Sequence, residues 1–311
     1  MVQGSVCYLL LYVGDICLIT TAQKQVSWFI NSLGNKYKLK YLGEIQNYLG
    51  VEVQRNEEGV YYLSQKEKIE KLLKTYGMER ANEVDTPITT QYKNEPEGQK
   101  CENATAFHSL LGSLLYLSCW TRPDITLAVH MLSQRSADPA QRDWVALKRI
   151  LRYLKGTKDY KLVLDTGYDQ QVYADASWGD RENGKSTTGY AIYIGNALVQ
   201  WKSQKQTFVA TSTCEAEHSA ISECVSQVEW FACLTKELGI PSEMPITVLS
   251  DNMAAQQLAN QQNFKSKSKH IAIRYGNVKN ALERNVLKVQ HCNTKCNVAD
   301  LYTKCLDAPK F

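Results

Sequence analysis

The stretch that decides the fold is VYADAS, residues 172–177, in which an apolar run at 172–174 leads into Asp175. A second stretch, ITVLSDN at 246–252, leads into Asp251 in the same way. Short apolar runs of this kind predict buried strands, and each aspartate is then expected at the carboxyl end of its strand. Open α/β sheets bind ligands at those ends, so we predict that the two carboxylates lie together.

A helical pattern begins within TSTCEAEHSA, residues 211–220, and runs to Gly239. Ser212 and Glu215 have the spacing of a capping box, in which the glutamate turns back to a free backbone N–H. We therefore predict a structural role for Glu215. Glu217 lies four residues before Ile221, the first member of an apolar stripe at helical spacing, and is predicted to face the sheet. A carboxylate in that position needs a charged partner.

A fourth acid, Asp300, lies in NVADLYTK at 297–304 and is expected to arrive from the C-terminal end of the same domain. Taken singly, each acid is compatible with a helix cap, a strand-end turn or a solvated surface. As a set, Asp175, Glu217, Asp251 and Asp300 predict a site for two Mg²⁺ ions, with Mn²⁺ as a substitute. Paired divalent ions can clamp the attacking water and the leaving oxygen of a phosphodiester displacement.

Composition limits the class of protein. The 311 residues are 44% hydrophobic and 22% charged, which favours two or three ordinary folded domains over a disordered or fibrous chain. The longest apolar stretch, VCYLLLYV at 6–13, is too short to cross a bilayer and lacks a basic leader, so we expect neither a membrane partner nor secretion. Ten cysteines at irregular positions indicate a reducing compartment, and their spacing fits no common zinc site.

Charge is distributed unevenly along the chain. Residues 265–311 contain ten Lys or Arg against three Asp or Glu, whereas residues 168–264 contain five against eleven. A basic arm beside an acidic site suits a nuclease, because cations attract the phosphate backbone. Two ordinary solvated surfaces are the alternative interpretation. The candidate nucleic-acid-binding residues are Lys185, Lys265, Lys267, Lys269 and Arg274.

The patterns predict three units along the chain. Residues 1–85 contain two strands joined at Gly14-Asp15, then helices and a further strand pair, and residues 86–159 contain the polar linker of 85–104 followed by helical segments. In residues 160–311, strands near 171–175, 188–194 and 197–202 precede a helix at 213–238. A strand at 246–250, helices at 252–260 and near 274–284, and a strand at 286–291 follow. This order predicts an α/β fold with a mixed sheet flanked by helices.

Ordered motifs in the last unit resemble the ribonuclease H domain of copia-type retrotransposon Pol polyproteins. They are YADASW (173–178), KSTTGYAIYI (185–194), WKSQKQTFVATSTCEAE (201–217), LSDNMAA (249–255), KSKSKHI (265–271) and ADLYTK (299–304). LLLYVGDICLI (9–19), YLGVEV (48–53), YLSQ (62–65), LLGSLLYLSCWTRPDI (110–125) and ALKRILRYLKGT (146–157) resemble the end of the reverse transcriptase palm and the connection region of the same family.

The resemblance implies a ribonuclease H-like domain after a remnant reverse transcriptase palm and a helical connection. It implies an enzyme that cleaves the RNA strand of RNA–DNA hybrids, with Asp175, Glu217, Asp251 and Asp300 as its metal ligands. The expected partners are an RNA–DNA hybrid, the nucleic acid backbone and the rest of the Pol polyprotein. The expected location is the cytoplasm, within a virus-like particle, or the nucleus.

One departure from the family pattern lies in the polymerase turn. The family carries two adjacent aspartates after Tyr-Val, and this chain has Gly14 and Asp15 there. A metal-binding carboxylate is missing, and the printed sequence has no fingers or earlier palm strand ahead of this turn, so polymerase activity is not expected. Two alternatives to an active nuclease are a non-catalytic nucleic-acid-binding remnant and an inactive pseudogene product. Affinity for Mg²⁺ separates them, because a remnant needs no metal.

Overall fold

The structure, a computed structural model, describes residues 6–96, 98–165, 167, 169–240, 244–260 and 269–311. The strands are β1 Cys7–Tyr12, β2 Asp15–Thr20, β3 Asn47–Tyr48, β4 Val51–Arg55, β5 Tyr61–Ser64, β6 Leu162–Leu164, β7 Gln170–Ser177, β8 Thr187–Ile194, β9 Ala197–Lys205, β10 Ile246–Ser250 and β11 Leu287–His291. The α-helices are α1 Gln23–Gly34, α2 Lys66–Thr75, α3 Ala104–Trp120, α4 Thr126–Ser133, α5 Gln141–Gly156, α6 Thr213–Glu237, α7 Met253–Asn260 and α8 Lys269–Glu283. A 3-10 helix at Val298–Tyr302 follows β11.

The C-terminal region is built on a five-stranded sheet with the strand order β11-β10-β7-β8-β9. β7, β8 and β9 form an antiparallel meander, and β10 is parallel to both β7 and β11. This is the mixed sheet that the pattern predicts. β7 continues to Ser177, beyond the predicted end at residue 175, because β8 pairs with it as far as Thr187. α8 begins at Lys269, ahead of the predicted start near residue 274.

Strand alternation gives this sheet two different faces. Val172 and Ala174 of β7 lie in one apolar cluster with Ile221 and Val225 of α6, and residues of α7 and α8 complete that cluster. Tyr173 lies in a second cluster, on the face that the 3-10 helix Val298–Tyr302 covers. The predicted flanking by helices is therefore confirmed, with α6, α7 and α8 sharing one apolar cluster.

The N-terminal region forms two smaller sheets. β1 and β2 make a two-stranded hairpin, and β3, β4, β5 and β6 make a four-stranded antiparallel sheet. The hairpin turn is Val13-Gly14, one residue earlier than predicted, because Asp15 already pairs with Tyr12 as the first residue of β2. β6 belongs to this second sheet although it lies within residues 160–311, so the chain passes from one sheet to the other between β6 and β7.

Helices α2, α3, α4 and α5 share one apolar core, in which Phe107, Leu114 and Leu151 are fully buried. Residues 85–104, expected to be a linker, lie against that core through Ile88 and Tyr92. The core extends across the predicted boundary at residue 85, because α2, which lies before that boundary, contributes side chains to it. The three-unit division of the chain stays a proposal.

A buried ion pair closes the end of the helical core. The side chain of Arg122 is 2% exposed, and its Nη2 lies 2.6 Å from Oδ2 of Asp124. The guanidinium also donates to the carbonyl of Thr157, at 3.0 Å from Nη1, and the hydroxyl of Tyr153 donates to Asp124. These bonds satisfy a charge that would otherwise be costly to bury, and they join α5 to the turn after α3.

The helical core also contacts the five-stranded sheet. The indole N–H of Trp201 in β9 donates to the carbonyl of Ser118, at 2.8 Å, and the backbone N–H of Lys205 donates to Nε2 of His130, at 3.1 Å. These two bonds dock α3 and α4 against the β9 edge. In the part of the chain that the structure describes, every helix is too short or too polar to cross a membrane.

Candidate metal site

Asp175 is the central residue of the site. It lies opposite Gly189 in the β7–β8 ladder, two residues past the last pair that joins β7 to β10. Its side chain is fully buried, and the hydroxyl of Thr303 donates to Oδ2. Asp175 is therefore a fixed carboxylate just beyond the parallel pairing, within β7 rather than at the predicted strand end, because β8 pairs with β7 as far as Ser177.

Glu217 reaches Asp175 from α6. It is 4% exposed, and its Oε2 accepts a hydrogen bond from the backbone N–H of Ala176 at 3.1 Å, which draws the carboxylate to β7. The hydroxyl of Ser212 caps α6 by accepting from the N–H of Glu215 at 3.2 Å. The Glu215 carboxylate accepts from the N–H of Thr211 at 2.7 Å, one residue earlier than a capping box requires. The predicted difference between the two glutamates is thus visible in their contacts: Glu215 bonds the entry to the helix, and Glu217 faces the sheet.

Asp251 follows the last residue of β10 and completes the group. Carboxylate oxygens of Asp175, Glu217 and Asp251 all lie within 4.8 Å of one another, and these three residues form the group that could hold a metal ion among the described residues. Asn252 then caps α7 by accepting from the N–H of Ala255 at 2.9 Å. The chain turns at once from strand to helix, which leaves Asp251 at the carboxyl end of β10.

Asp300 lies next to this group but is bridged to it by a cation. The ammonium of Lys304 lies 2.6 Å from Oδ1 of Asp300 and 3.2 Å from Oδ1 of Asp175. The structure therefore brings three of the four predicted acids into direct proximity and joins the fourth through Lys304. Sequence reasoning assigned no role to Thr303 or Lys304, although the i,i+4 spacing of Asp300 and Lys304 is the signal of a helical ion pair.

Gly189 allows the C-terminal turn to reach Asp175. A Cβ at this position would lie 2.6 Å from Cγ2 of Thr303 and 2.8 Å from Cβ of Tyr302, closer than real side chains approach. Asn297 fastens the same turn to β7, because its amide donates to the carbonyl of Ala174 at 3.3 Å. The position of Asp300 thus depends on a glycine in β8 and an amide at the start of the 3-10 helix.

Burial and neighbouring charges raise the pKa values of two of the acids, Glu217 and Asp175. Burial raises the pKa of Glu217 to about 9, and the neighbouring charges of Asp175 and Asp251 add to the rise. Burial also raises the pKa of Asp175 to about 6, although Lys304 and Thr303 act in the opposite direction. Partial burial opposes the charge of Lys304, but Asp175 and Asp300 outweigh it and raise the pKa of the ammonium above its usual value.

These residues fit a hard divalent cation. The donors are carboxylate oxygens, which Mg²⁺ and Mn²⁺ prefer, with no thiol among the three. The raised pKa values of Glu217 and Asp175 reflect burial first and the charges of neighbouring acids second, and a cation at this place would offset both. They are three of the four acids that the sequence patterns predict as ligands, the fourth being Asp300.

The predicted nucleic-acid-binding residues have separate environments. Lys185 is half-buried, two residues before β8 begins. The guanidinium of Arg274 lies 3.8 Å from the centre of the Phe208 ring. Lys269 is the first residue of α8, whose opening side chains are outside the described residues, as are Lys265 and Lys267 altogether. In the polymerase-like turn, Gly14 and Asp15 are both exposed at the end of the hairpin.

The strand order and the carboxylates near the carboxyl ends of β7 and β10 define the class of this protein. It is an α/β protein with a ribonuclease H-like fold, preceded by two smaller antiparallel sheets and a helical core. Residues 3–90 match the family model described as reverse transcriptase (RNA-dependent DNA polymerase). The retrovirus-related Pol polyprotein from transposon RE2 of Arabidopsis thaliana is 35% identical over 99% of this chain and 21% of its own length. An uncharacterized mitochondrial protein of Arabidopsis thaliana is 31% identical over 72% of this chain and 93% of its own length.

The chain belongs to the family of Pol polyproteins of copia-type retrotransposons, and it spans about a fifth of the length of the RE2 relative. Among solved structures, a foamy viral protease-reverse transcriptase in complex with double-stranded DNA aligns with a TM-score of 0.49 and 16% identity, over 92% of this chain and 46% of that one.

Proposed function

We propose that this chain is a ribonuclease H-type endonuclease that cleaves the RNA strand of RNA–DNA hybrids by two-metal hydrolysis. The observation that carries the proposal is the convergence of Asp175, Glu217 and Asp251 within 4.8 Å at the edge of the sheet. Carboxylates gathered in a largely buried place repel one another, and a bound cation would offset that cost.

Divalent ions held by these carboxylates supply an activated water and stabilise the departing oxygen of the phosphodiester. The chain's own residues fix where that chemistry takes place. Asp175 is held by Thr303, Glu217 by the N–H of Ala176, and the segment that carries Asp300 by Asn297. Positions fixed before the substrate binds lower the cost of reorganisation during the reaction.

The proposed substrate is an RNA–DNA hybrid, since the 2′-hydroxyl of RNA offers a group that DNA lacks. Lys185, Lys265, Lys267, Lys269 and Arg274 are the proposed contacts to the phosphate backbone, which makes hybrid binding dependent on salt. The rest of the Pol polyprotein is the proposed protein partner. We propose no templated DNA synthesis by this chain, because Gly14 replaces one of the two aspartates of the family's polymerase turn.

The test is cleavage of a hybrid labelled on its RNA strand by the full chain in Mg²⁺ or Mn²⁺. Asp175→Asn and Asp251→Asn keep the side-chain shape and remove a negative ligand, so cleavage should fall by orders of magnitude while hybrid affinity is largely kept. Glu215→Gln is the matched control for Glu217→Gln, because both lie in the first turns of α6. It should leave the cleavage rate within about twofold, since a weakened cap affects stability rather than metal binding.

Two results would count against the proposal. If Glu215→Gln abolished cleavage while Glu217→Gln did not, the assignment of the helix face would be wrong. If the wild-type chain bound the hybrid with salt-dependent affinity but never cut it, the non-catalytic remnant would be the better account.

A further inference from the structure

Lys304 divides the four acids into two groups. Its ammonium lies between Oδ1 of Asp300, at 2.6 Å, and Oδ1 of Asp175, at 3.2 Å. Asp175 also belongs to the group of three whose oxygens lie within 4.8 Å of one another. One carboxylate, that of Asp175, therefore serves both the ammonium and the potential metal site.

This arrangement has room for one divalent ion without any movement of Lys304. An ion bound by Asp175, Glu217 and Asp251 would share only the carboxylate of Asp175 with Lys304. A second ion that used Asp300 together with Asp175 would have to enter the place where the ammonium now lies. Repulsion between a divalent ion and an ammonium a few ångströms away is strong in a partly buried site.

The surroundings of Lys304 allow its side chain to leave. It is 38% exposed, and a lysine stem is flexible and reaches solvent readily. Asp175 cannot follow it, because the hydroxyl of Thr303 holds the other oxygen of that carboxylate. The 3-10 helix that carries Asp300 is likewise tied to β7 through Asn297. The lysine is thus the movable member of an otherwise fixed set.

We propose that Lys304 sets the number of divalent ions that this site takes: its ammonium stands in for the second ion, and the second ion binds only when that side chain moves away. The inference rests on the proposed function and deepens it. Lys304 is a positioning residue in this scheme, because it acts on the occupancy of Asp175 and Asp300 and makes no contact with substrate. Its effect should appear in metal binding alone, without nucleic acid.

The experiment is calorimetric titration of the full chain with Mn²⁺ in the absence of nucleic acid. The wild type should bind one ion at the site. Lys304→Met keeps the length of the side chain and removes its charge, so it should bind two ions, with about tenfold tighter overall affinity. Lys304→Arg retains a cation and should bind one ion. The double variant Asp300→Asn, Lys304→Met lacks the second carboxylate and should return to one ion.

Lys288→Met is the matched control, since it removes one lysine charge from an exposed position of β11 in the same sheet and should leave the wild-type titration unchanged. Melting of each variant in a chelator shows that it is folded, and Lys304→Arg tests the charge even if Lys304→Met melts early. Two ions in the wild type, or one ion in both the wild type and Lys304→Met, would overturn the role of Lys304 and leave the nuclease proposal intact. If the wild type bound no Mn²⁺, or if Asp175→Asn bound Mn²⁺ as well as the wild type does, both the role of Lys304 and the nuclease proposal would be overturned.

Discussion

The strands of the N-terminal hairpin are at least as apolar as those of the five-stranded sheet, yet the two regions differ in what covers them. In the hairpin, Leu9, Leu11 and Ile19 are each at least 49% exposed, and β1 and β2 pair with no further strand among the described residues. In the sheet, Val172 and Val248 are fully buried under α6. An apolar strand therefore becomes core only where another element packs on it.

The same difference separates the acids of the two regions. Asp15 begins β2 at an exposed turn, whereas Asp175 is buried in β7 beside Glu217 and Asp251. A two-stranded ribbon is marginally stable by itself and cannot hold a charge against repulsion. A covered sheet can, because hydrogen bonds such as that from Thr303 fix the side chain. The sequence motif around Asp15 resembles a catalytic turn, but the hairpin leaves Asp15 exposed. The carboxylates that the fold holds together lie in the other region.

The largest contrast should come from truncating one leucine in each region. Leu287 of β11 is 2% exposed, and Leu287→Ala should lower the free energy of unfolding by about 2–5 kcal/mol through lost burial and a cavity. Leu11 is 66% exposed, and Leu11→Ala should change it by less than about 0.5 kcal/mol. Urea denaturation followed by circular dichroism measures both. Equal destabilisation would mean that the hairpin is buried in solution, and the comparison would fail.

A pair of glycines provides a second contrast. Gly189→Ala places a Cβ 2.6 Å from Thr303 and should cost about 1–3 kcal/mol, because the C-terminal turn must move away from β8. A Cβ at Gly14 would meet nothing within 4 Å, so Gly14→Ala should be nearly neutral. Thermal melting gives the stabilities, and Mn²⁺ titration should show altered binding in Gly189→Ala only, because both Thr303 and Lys304 move relative to Asp175. Unchanged metal affinity there would show that Asp300 and Lys304 do not depend on the glycine.

The buried glutamate predicts a pH-dependent contrast. The pKa of Glu217 is raised from 4.5 to about 9 in the folded chain. Below the unfolded value both states are protonated and there is no penalty; as pH rises through 4.5 the unfolded chain releases its proton first, so stability is lost with rising pH. Glu217→Gln cannot ionise and should be more stable than wild type in a chelator at pH 8 and less so at pH 5, with a difference that grows by at most about 1.4 kcal/mol for each pH unit above 4.5.

Asp15→Asn is the control from the hairpin. Asp15 is exposed, so this variant should melt with the wild type at both pH values. Addition of Mg²⁺ should stabilise the wild type and Asp15→Asn at pH 8 but not Glu217→Gln, because the ion replaces the missing counter-charge. If Glu217→Gln were less stable than wild type at pH 8 in a chelator, the buried carboxyl would not carry the penalty that its raised pKa predicts.

The residues that sequence reasoning placed correctly are those whose signal is local. The runs that lead into Asp175 and Asp251 predict strands by length and composition, and the stripe after Glu217 predicts its helix face by period. The mixed sheet follows from the order of these elements. The proximity of three of the four acids of the candidate site could therefore be predicted from the sequence.

Residues whose roles depend on distant contacts could not be predicted in this way. Gly189 matters because the turn of Tyr302 and Thr303 packs on it from more than 100 residues away along the chain. Trp201 gives no local sign that its indole will bond the carbonyl of Ser118 in α3. Lys304 belongs to a quoted motif, but its bridge to Asp175 exists only in the folded chain.

The smallest expected effect concerns the bond that joins the two regions. The hydroxyl of Tyr8 in β1 donates to the carbonyl of Leu238, at the end of α6. Tyr8→Phe removes this bond and should cost about 1 kcal/mol or less, since the carbonyl can turn to water at the surface. Because the hairpin has few other buried contacts, amide hydrogen exchange should speed up across residues 7–20 while exchange in β7 stays as in the wild type.

Tyr12→Phe, at a side chain that is 58% exposed, is the matched control and should leave both regions unchanged. Faster exchange in β7 as well would mean that the hairpin and the sheet unfold as one unit, and the distinction between a covered and an uncovered region would then have no energetic meaning.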